Sequence, residues 1–184
     1  MLFPLIETIA KRLNQFSIDY MIIGGQAVLV YGEARLTKDI DITLGLGPEE
    51  LDRVLACLEG TGFETLTKEA EKFVHDHKVL PLRDNNTGLR IDLIFSISPY
   101  EREALTRTRS ILIGKTMVRF VSPEDLVIHK MISPRARDWE DAKGVLLKNP
   151  VLDREYIRRW LREFDQALTT DYLDTFTKLE ERLK

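Results

Sequence analysis

Two carboxylates separated by one apolar residue, Asp39 and Asp41 in Thr37-Lys-Asp-Ile-Asp-Ile-Thr-Leu44, constrain this chain more than any other feature. In an extended segment side chains alternate between faces, so Asp39 and Asp41 point the same way. Thr37 and Thr43 share that face, and Ile40, Ile42 and Leu44 take the other. Two neighbouring like charges near a protein surface repel by a few kcal/mol, on the order of the Coulomb value at intermediate dielectric. A cation has to offset that cost. A hard divalent ion held by oxygen ligands suits the pair, and Mg²⁺ brings phosphates with it.

The residues upstream fit phosphate chemistry. Met21-Ile22-Ile23 reads as a buried strand near Tyr20 to Ile23, which ends at Gly24-Gly25. A helix around Gln26 to Tyr31 follows, and then the acidic strand near Asp39 to Leu44. Without side chains, the backbone at Gly24 and Gly25 can come close to a phosphate, and the N–H groups at the helix start face the anion. Gly-Gly followed by Asp-x-Asp at this spacing resembles the signature of the polymerase-beta-like nucleotidyltransferase superfamily. Many members of that superfamily carry Ser where Gly25 stands, with its hydroxyl on the phosphates.

A third carboxylate lies in Arg90-Ile-Asp-Leu-Ile-Phe95. Asp92 is the acid of an otherwise apolar run, with Ile91, Leu93 and Phe95 on the opposite face, and a charge there needs a partner or a metal. The resemblance implies that Asp39 and Asp41 ligate two Mg²⁺ ions. It implies that Asp92 ligates the catalytic one and helps activate the acceptor hydroxyl, with the metals holding the attacking and leaving oxygens. On the plainer alternative, all three acids are ordinary strand-end or turn residues.

The stretch Ser122-Pro-Glu-Asp-Leu through Lys130, then Arg135-Ala-Arg137-Asp138-Trp-Glu-Asp141, is similar to the abortive-infection (AbiEii-like) toxin branch of the superfamily. Gly32, Arg35 and Thr37 have the same flavour. The resemblance covers most of residues 5 to 148 and implies an antitoxin partner. Lys130 and Arg35 are candidates for the triphosphate, because charge-assisted bonds neutralise a nucleotide tail. The alternatives are a surface salt bridge from Arg35 to Glu33 and a solvated helix position for Lys130. Arg135 and Arg137 can cap the preceding helix, and Asp138 can cap the following one or, as the lesser alternative, bind metal.

Periodicity gives the organisation. Leu5, Ile6, Ile9, Leu13 and Phe16 have helical spacing. Pro48 opens a second helix that closes at Gly60 and Gly62. Lys78 to Arg83 and Leu89 to Ser96 flank a turn cluster and predict a hairpin, as do Arg107 to Ile113 and Thr116 to Val121. From Ser122 onward the pattern is helical, with Ser122 as N-cap and Pro123 at the first helical position. The fold class is therefore α/β (α+β): a mixed sheet over residues 1–121, then a helical region over 122–184.

Several features carry two readings. His75 and His77 share one face if Phe73 to His77 is a strand, which allows zinc or an edge strand. Arg154, Arg158 and Arg162 form a stripe that is either a solvated face paired with Glu155 and Glu163 or an RNA contact. The apolar stripes of Tyr156 to Leu168 and Tyr172 to Leu183 are either core or a partner or homodimer surface.

Composition limits the classes. The chain has 184 residues, 43% of them hydrophobic, enough for a sizeable core. A net charge of −3 argues against a broad nucleic-acid-coating surface but allows a local basic site. The single Cys57 cannot form an intrachain disulfide and reads as a small core residue in a reducing compartment. The start is not a signal peptide and no run is long enough for a membrane span, so the expected location is cytoplasmic.

The sequence thus predicts an Mg²⁺-dependent transfer of a nucleoside monophosphate from an NTP to an acceptor, which could be a tRNA, a protein or a small molecule. A non-catalytic nucleotide- or partner-binding module on the same fold is the alternative of another class. Metal-dependent hydrolysis by the same carboxylates is a third.

Overall fold

Strand alternation decides which face of the sheet is apolar. The computed structural model describes residues 2–183. Its strands are β1 (Tyr20–Ile23), β2 (Asp39–Leu44), β3 (Phe63–Thr65), β4 (Val79–Asp84), β5 (Arg90–Phe95), β6 (Arg109–Ile113) and β7 (Thr116–Phe120). They form one mixed sheet in the order β3-β4-β5-β2-β1-β7-β6. β2 pairs with β5 and β1 with β7 in parallel, and the other pairs are antiparallel. Ile40, Ile42, Leu80, Leu82, Ile91 and Leu93 are all at 0% exposure and sit on the same face. A one-residue slip of β2 would bury both its aspartates, so the pattern fixes the register.

The helices are α1 (Phe3–Gln15), α2 (Gly24–Tyr31), α3 (Leu51–Leu58, after a 3-10 turn at Pro48–Glu50), α4 (Ala70–His77), α5 (Pro99–Thr106), α6 (Pro123–Met131), α7 (Ala136–Lys148), α8 (Arg154–Leu168) and α9 (Tyr172–Glu181). Two compact units are present: Met1–Gln26 with Leu36–Val121, and Ala27–Arg35 with Ser122–Lys184. The second unit therefore takes in a segment from far earlier in the chain.

In the first unit α1 buries Leu5, Ile6, Ile9, Ala10 and Leu13 and lies against β6, β7 and α3. Burying each Leu or Ile side chain stabilises by roughly 1.5–3 kcal/mol. Both predicted hairpins are present as β4–β5 and β6–β7.

In the second unit α6 starts as the sequence predicts: the Ser122 hydroxyl accepts from the Asp125 N–H, with Pro123 in the first turn. Asp125 is fully buried and accepts from the Tyr156 hydroxyl at 2.7 Å, which ties α6 to α8. The Asp153 N–H at the start of α8 donates to Glu124. Glu124 and Asp125 of the Pro-Glu-Asp-Leu motif thus hold helices together here.

Three local readings need correction or completion. Phe73 to His77 is the end of helix α4, not a strand. Residues two apart on a helix are about 200° apart, so His75 and His77 do not share a face. The His77 ring packs on Phe73 at 4.4 Å. Helix α5 and strand β3 did not emerge from periodicity. Yet α5 carries a full capping box, with Ser98 accepting from the Glu101 N–H and Glu101 from the Ser98 N–H.

Candidate active site

Parallel register brings the three candidate acids onto one face. Asp39 lies opposite Arg90 and Asp41 opposite Asp92 on β2 and β5. Neighbouring strands are about 4.8 Å apart, so these four side chains form a compact block. Asp39 is exposed, and Asp41 and Asp92 are half-buried. Two carboxylates about 5 Å apart repel by about 3 kcal/mol at an effective dielectric near 20.

Arg90 supplies part of the compensation. Its Nε–H donates to Asp92 Oδ1 at 2.9 Å and Oδ2 at 3.0 Å. That bond pushes the guanidinium above its ordinary pKa, opposed by burial and reinforced by the fields of Asp92, Asp39 and Asp41. Three carboxylates and one guanidinium leave the block with a net charge of minus two (−3 + 1).

The glycine turn is built around the same acids. Gly24 has φ +62°, a left-handed backbone that side chains rarely adopt. A Cβ there would also overlap the Asp41 carboxylate, with Asp41 Cγ at 3.2 Å. Gly25, the second residue of α2, has no positive φ, but a Cβ there would lie 2.8 Å from the Thr37 Cβ and overlap the Thr37 hydroxyl. Thr37 Oγ1 donates to Asp39 Oδ1 at 3.0 Å, and Gln26 Nε2 donates to the Asp39 carbonyl at 3.1 Å. The first turn of α2, whose N–H groups have no intrahelical acceptors, is thereby fixed beside the acidic strand.

The candidate donors are carboxylate oxygens on adjacent, registered strands, the atom type that a hard divalent ion takes. Among the described residues, no three His, Cys, Asp or Glu side chains are gathered as a metal-holding group. Asp92 is engaged by Arg90, whose side chain is 56% exposed.

Arg35 and Lys130 come together on a different set of partners. Arg35 Nε and Nη2 donate to Asp141 at 3.0 and 2.9 Å. Lys130 is 5% exposed and reaches Asp138 at 2.5 Å and Asp141 at 2.9 Å. Asp138 also accepts from Ser133 at 2.5 Å and Arg135 at 2.7 Å. Burial pushes the Asp138 carboxyl up, but the bonds from Lys130, Ser133 and Arg135 outweigh it and hold its pKa below the ordinary 3.8. The solvated-helix alternative for Lys130 is overturned. Arg35 pairs with Asp141 rather than Glu33, which pairs with Lys148 at 3.1 Å. Asp138 is not a cap: Arg135 holds the position before α7, without a side-chain cap bond.

Residues 1–177 match the family described as nucleotidyltransferase of unknown function, DUF6036. The chain belongs to this nucleotidyltransferase family. No protein of curated function matches the sequence. The fold is similar to that of an antigenic nucleotidyltransferase-like protein from Paracoccidioides brasiliensis, with a TM-score of 0.61, 16% identity and coverage of 97% of this chain and 92% of that one. It is also similar to ANT(2'')-Ia in complex with adenylyl-2''-tobramycin, with a TM-score of 0.59, 17% identity and coverage of 90% and 97%. At such identities the likeness is one of fold.

Two further readings of this nucleotidyltransferase resolve. Arg154 and Arg158 both bond the buried Glu180 of α9 at 2.5 Å, so these members of the basic stripe join two helices. No helix among the described residues is long and apolar enough to cross a membrane. Sequence reasoning assigned no role to Arg90, although its place two residues from Asp92 on the same face was the available signal.

Proposed function

We propose that the chain transfers a nucleoside monophosphate from an NTP to an acceptor hydroxyl, at the site formed by Asp39, Asp41, Asp92 and the Gly24–Gly25 turn. The observation that carries this reading is the register pairing of Asp41 with Asp92 beside a glycine-opened helix. Family membership supports it. Magnesium held by Asp39, Asp41 and Asp92 would supply charge neutralisation and Lewis acidity.

The chain's own residues do the rest. Gly24 and Gly25 leave room for phosphate oxygens at the first N–H groups of α2. Asp92 accepts the proton of the acceptor hydroxyl. The acceptor oxygen then bonds the α-phosphorus, the bond to the bridging oxygen breaks, and pyrophosphate leaves. The test incubates the protein with each α-labelled NTP, Mg²⁺ and either total cell extract or an aminoglycoside such as tobramycin. The second arm follows from the adenylyl-2''-tobramycin bound to ANT(2'')-Ia. Label on RNA, protein or antibiotic identifies the acceptor class, and no label with any NTP contradicts the reading.

The Arg90 contact favours a second reading. A guanidinium already seated on Asp92 suits a non-catalytic module that binds nucleotide without transferring it. Nucleotide binding without label transfer in every arm would support that alternative.

A further inference from the structure

The backbone at Gly25 does not itself require glycine. Its φ is not positive, and the three heavy atoms nearest to a Cβ built there all belong to Thr37. The Thr37 side chain therefore blocks a side chain at residue 25, and it places a hydroxyl in the volume that such a side chain would fill. The Thr37 hydroxyl has one proton, which it gives to Asp39 Oδ1 at 3.0 Å, and lone pairs that remain available. It sits beside the opening turn of α2, between the glycine pair and the acidic strand.

We propose that Thr37 Oγ1 is a direct ligand of the nucleotide's phosphate tail, standing in for a hydroxyl at residue 25. This rests on the nucleotidyltransferase reading of the site. In the free protein the proton goes to Asp39. When the nucleotide is bound with its divalent counter-ion, the hydroxyl turns and donates to a phosphate oxygen at the helix start. Gly25 and Thr37 are then a coupled pair: a hydroxyl side chain fits at one position or the other, never at both.

Calorimetry with Mg²⁺ and the non-hydrolysable triphosphate analogues of all four nucleosides tests this, with a thermal melt of each variant to confirm folding. Thr37→Val keeps the shape and removes the hydroxyl. It should weaken the preferred analogue by about ten- to a hundredfold, the usual worth of a hydrogen bond to a charged group. Thr37→Ser should stay within about threefold of wild type. Gly25→Ser alone should weaken binding, and Gly25→Ser with Thr37→Gly should recover most of it. Wild-type affinity in a folded Thr37→Val overturns the proposal, as does failure of the transposed pair to improve on Gly25→Ser. Absence of binding by every variant, wild type included, overturns the reading of the site and this proposal with it.

Discussion

The Nε–H of Arg90 is shared between both carboxylate oxygens of Asp92, at 2.9 and 3.0 Å, and Asp92 lies directly opposite Asp41 on the neighbouring strand. A cation of the chain itself thus holds a carboxylate that the proposed chemistry needs. Arg90→Gln removes it and changes the block from a net charge of minus two to minus three. The pair is half-buried on the Asp92 side and solvated on the Arg90 side, so it contributes modestly to stability, about 1 kcal/mol. Calorimetric titration with Mn²⁺ should show tighter binding in Arg90→Gln by several fold, since the ion no longer competes with the guanidinium. Unchanged or weaker binding would remove Arg90 from the electrostatics of the site.

Lys130 is buried against two carboxylates, Asp138 and Asp141. Lys130→Met leaves both without their shared cation, and losing one partner of a buried ion pair typically costs about 3–5 kcal/mol. Arg135 bonds the same Asp138 from a side chain that is 76% exposed, so Arg135→Ala should cost about 1 kcal/mol or less. Urea unfolding of the two variants should separate by that margin. Equal midpoints would mean that Lys130 is not holding the cluster.

The same cluster sets an acid limit. The Asp138 carboxyl lies below its ordinary value of 3.8 when folded and returns to it on unfolding. Its contribution to stability is therefore present above about pH 4 and lost as the pH falls through the folded value. The thermal midpoint should drop steeply with acid in the wild type and less steeply in Asp138→Asn. Parallel curves would assign the acid sensitivity elsewhere.

Cys57 is fully buried on α3, and burial raises its thiol pKa against the opposing fields of Arg12 and Arg53. The thiolate is the reactive form. A thiol reagent should leave the native protein unlabelled near neutral pH over the time in which the urea-unfolded protein labels fully. Rapid native labelling would contradict the packing of α3.

The placement of the acids on one face could be read in advance because its signals are local. Alternation put Asp39 and Asp41 on one face, and the glycine pair marked the start of α2. What the sequence withheld depends on partners distant in the chain. Lys130 looked like a phosphate ligand or a solvated lysine because Asp138 and Asp141 count as its partners only once α6 and α7 pack. Arg35 finds Asp141 across more than a hundred residues. The period-two spacing of His75 and His77 imitated a strand, while a short helix gives the same letters. At Gly25 the sequence shows only a glycine, whereas the structure shows the Thr37 side chain in the space that a side chain there would fill.

The central claim is that Asp41 is a functional acid at a transfer site and not a structural one. The most direct measurement compares wild type with Asp41→Asn for incorporation of α-labelled nucleotide into the acceptor, alongside a thermal melt of each. The account predicts a loss of label by about a thousandfold or more with a melt close to wild type, because a half-buried site acid adds little to the core. Equal incorporation by the two proteins, or a collapse of the melt in Asp41→Asn, would contradict it.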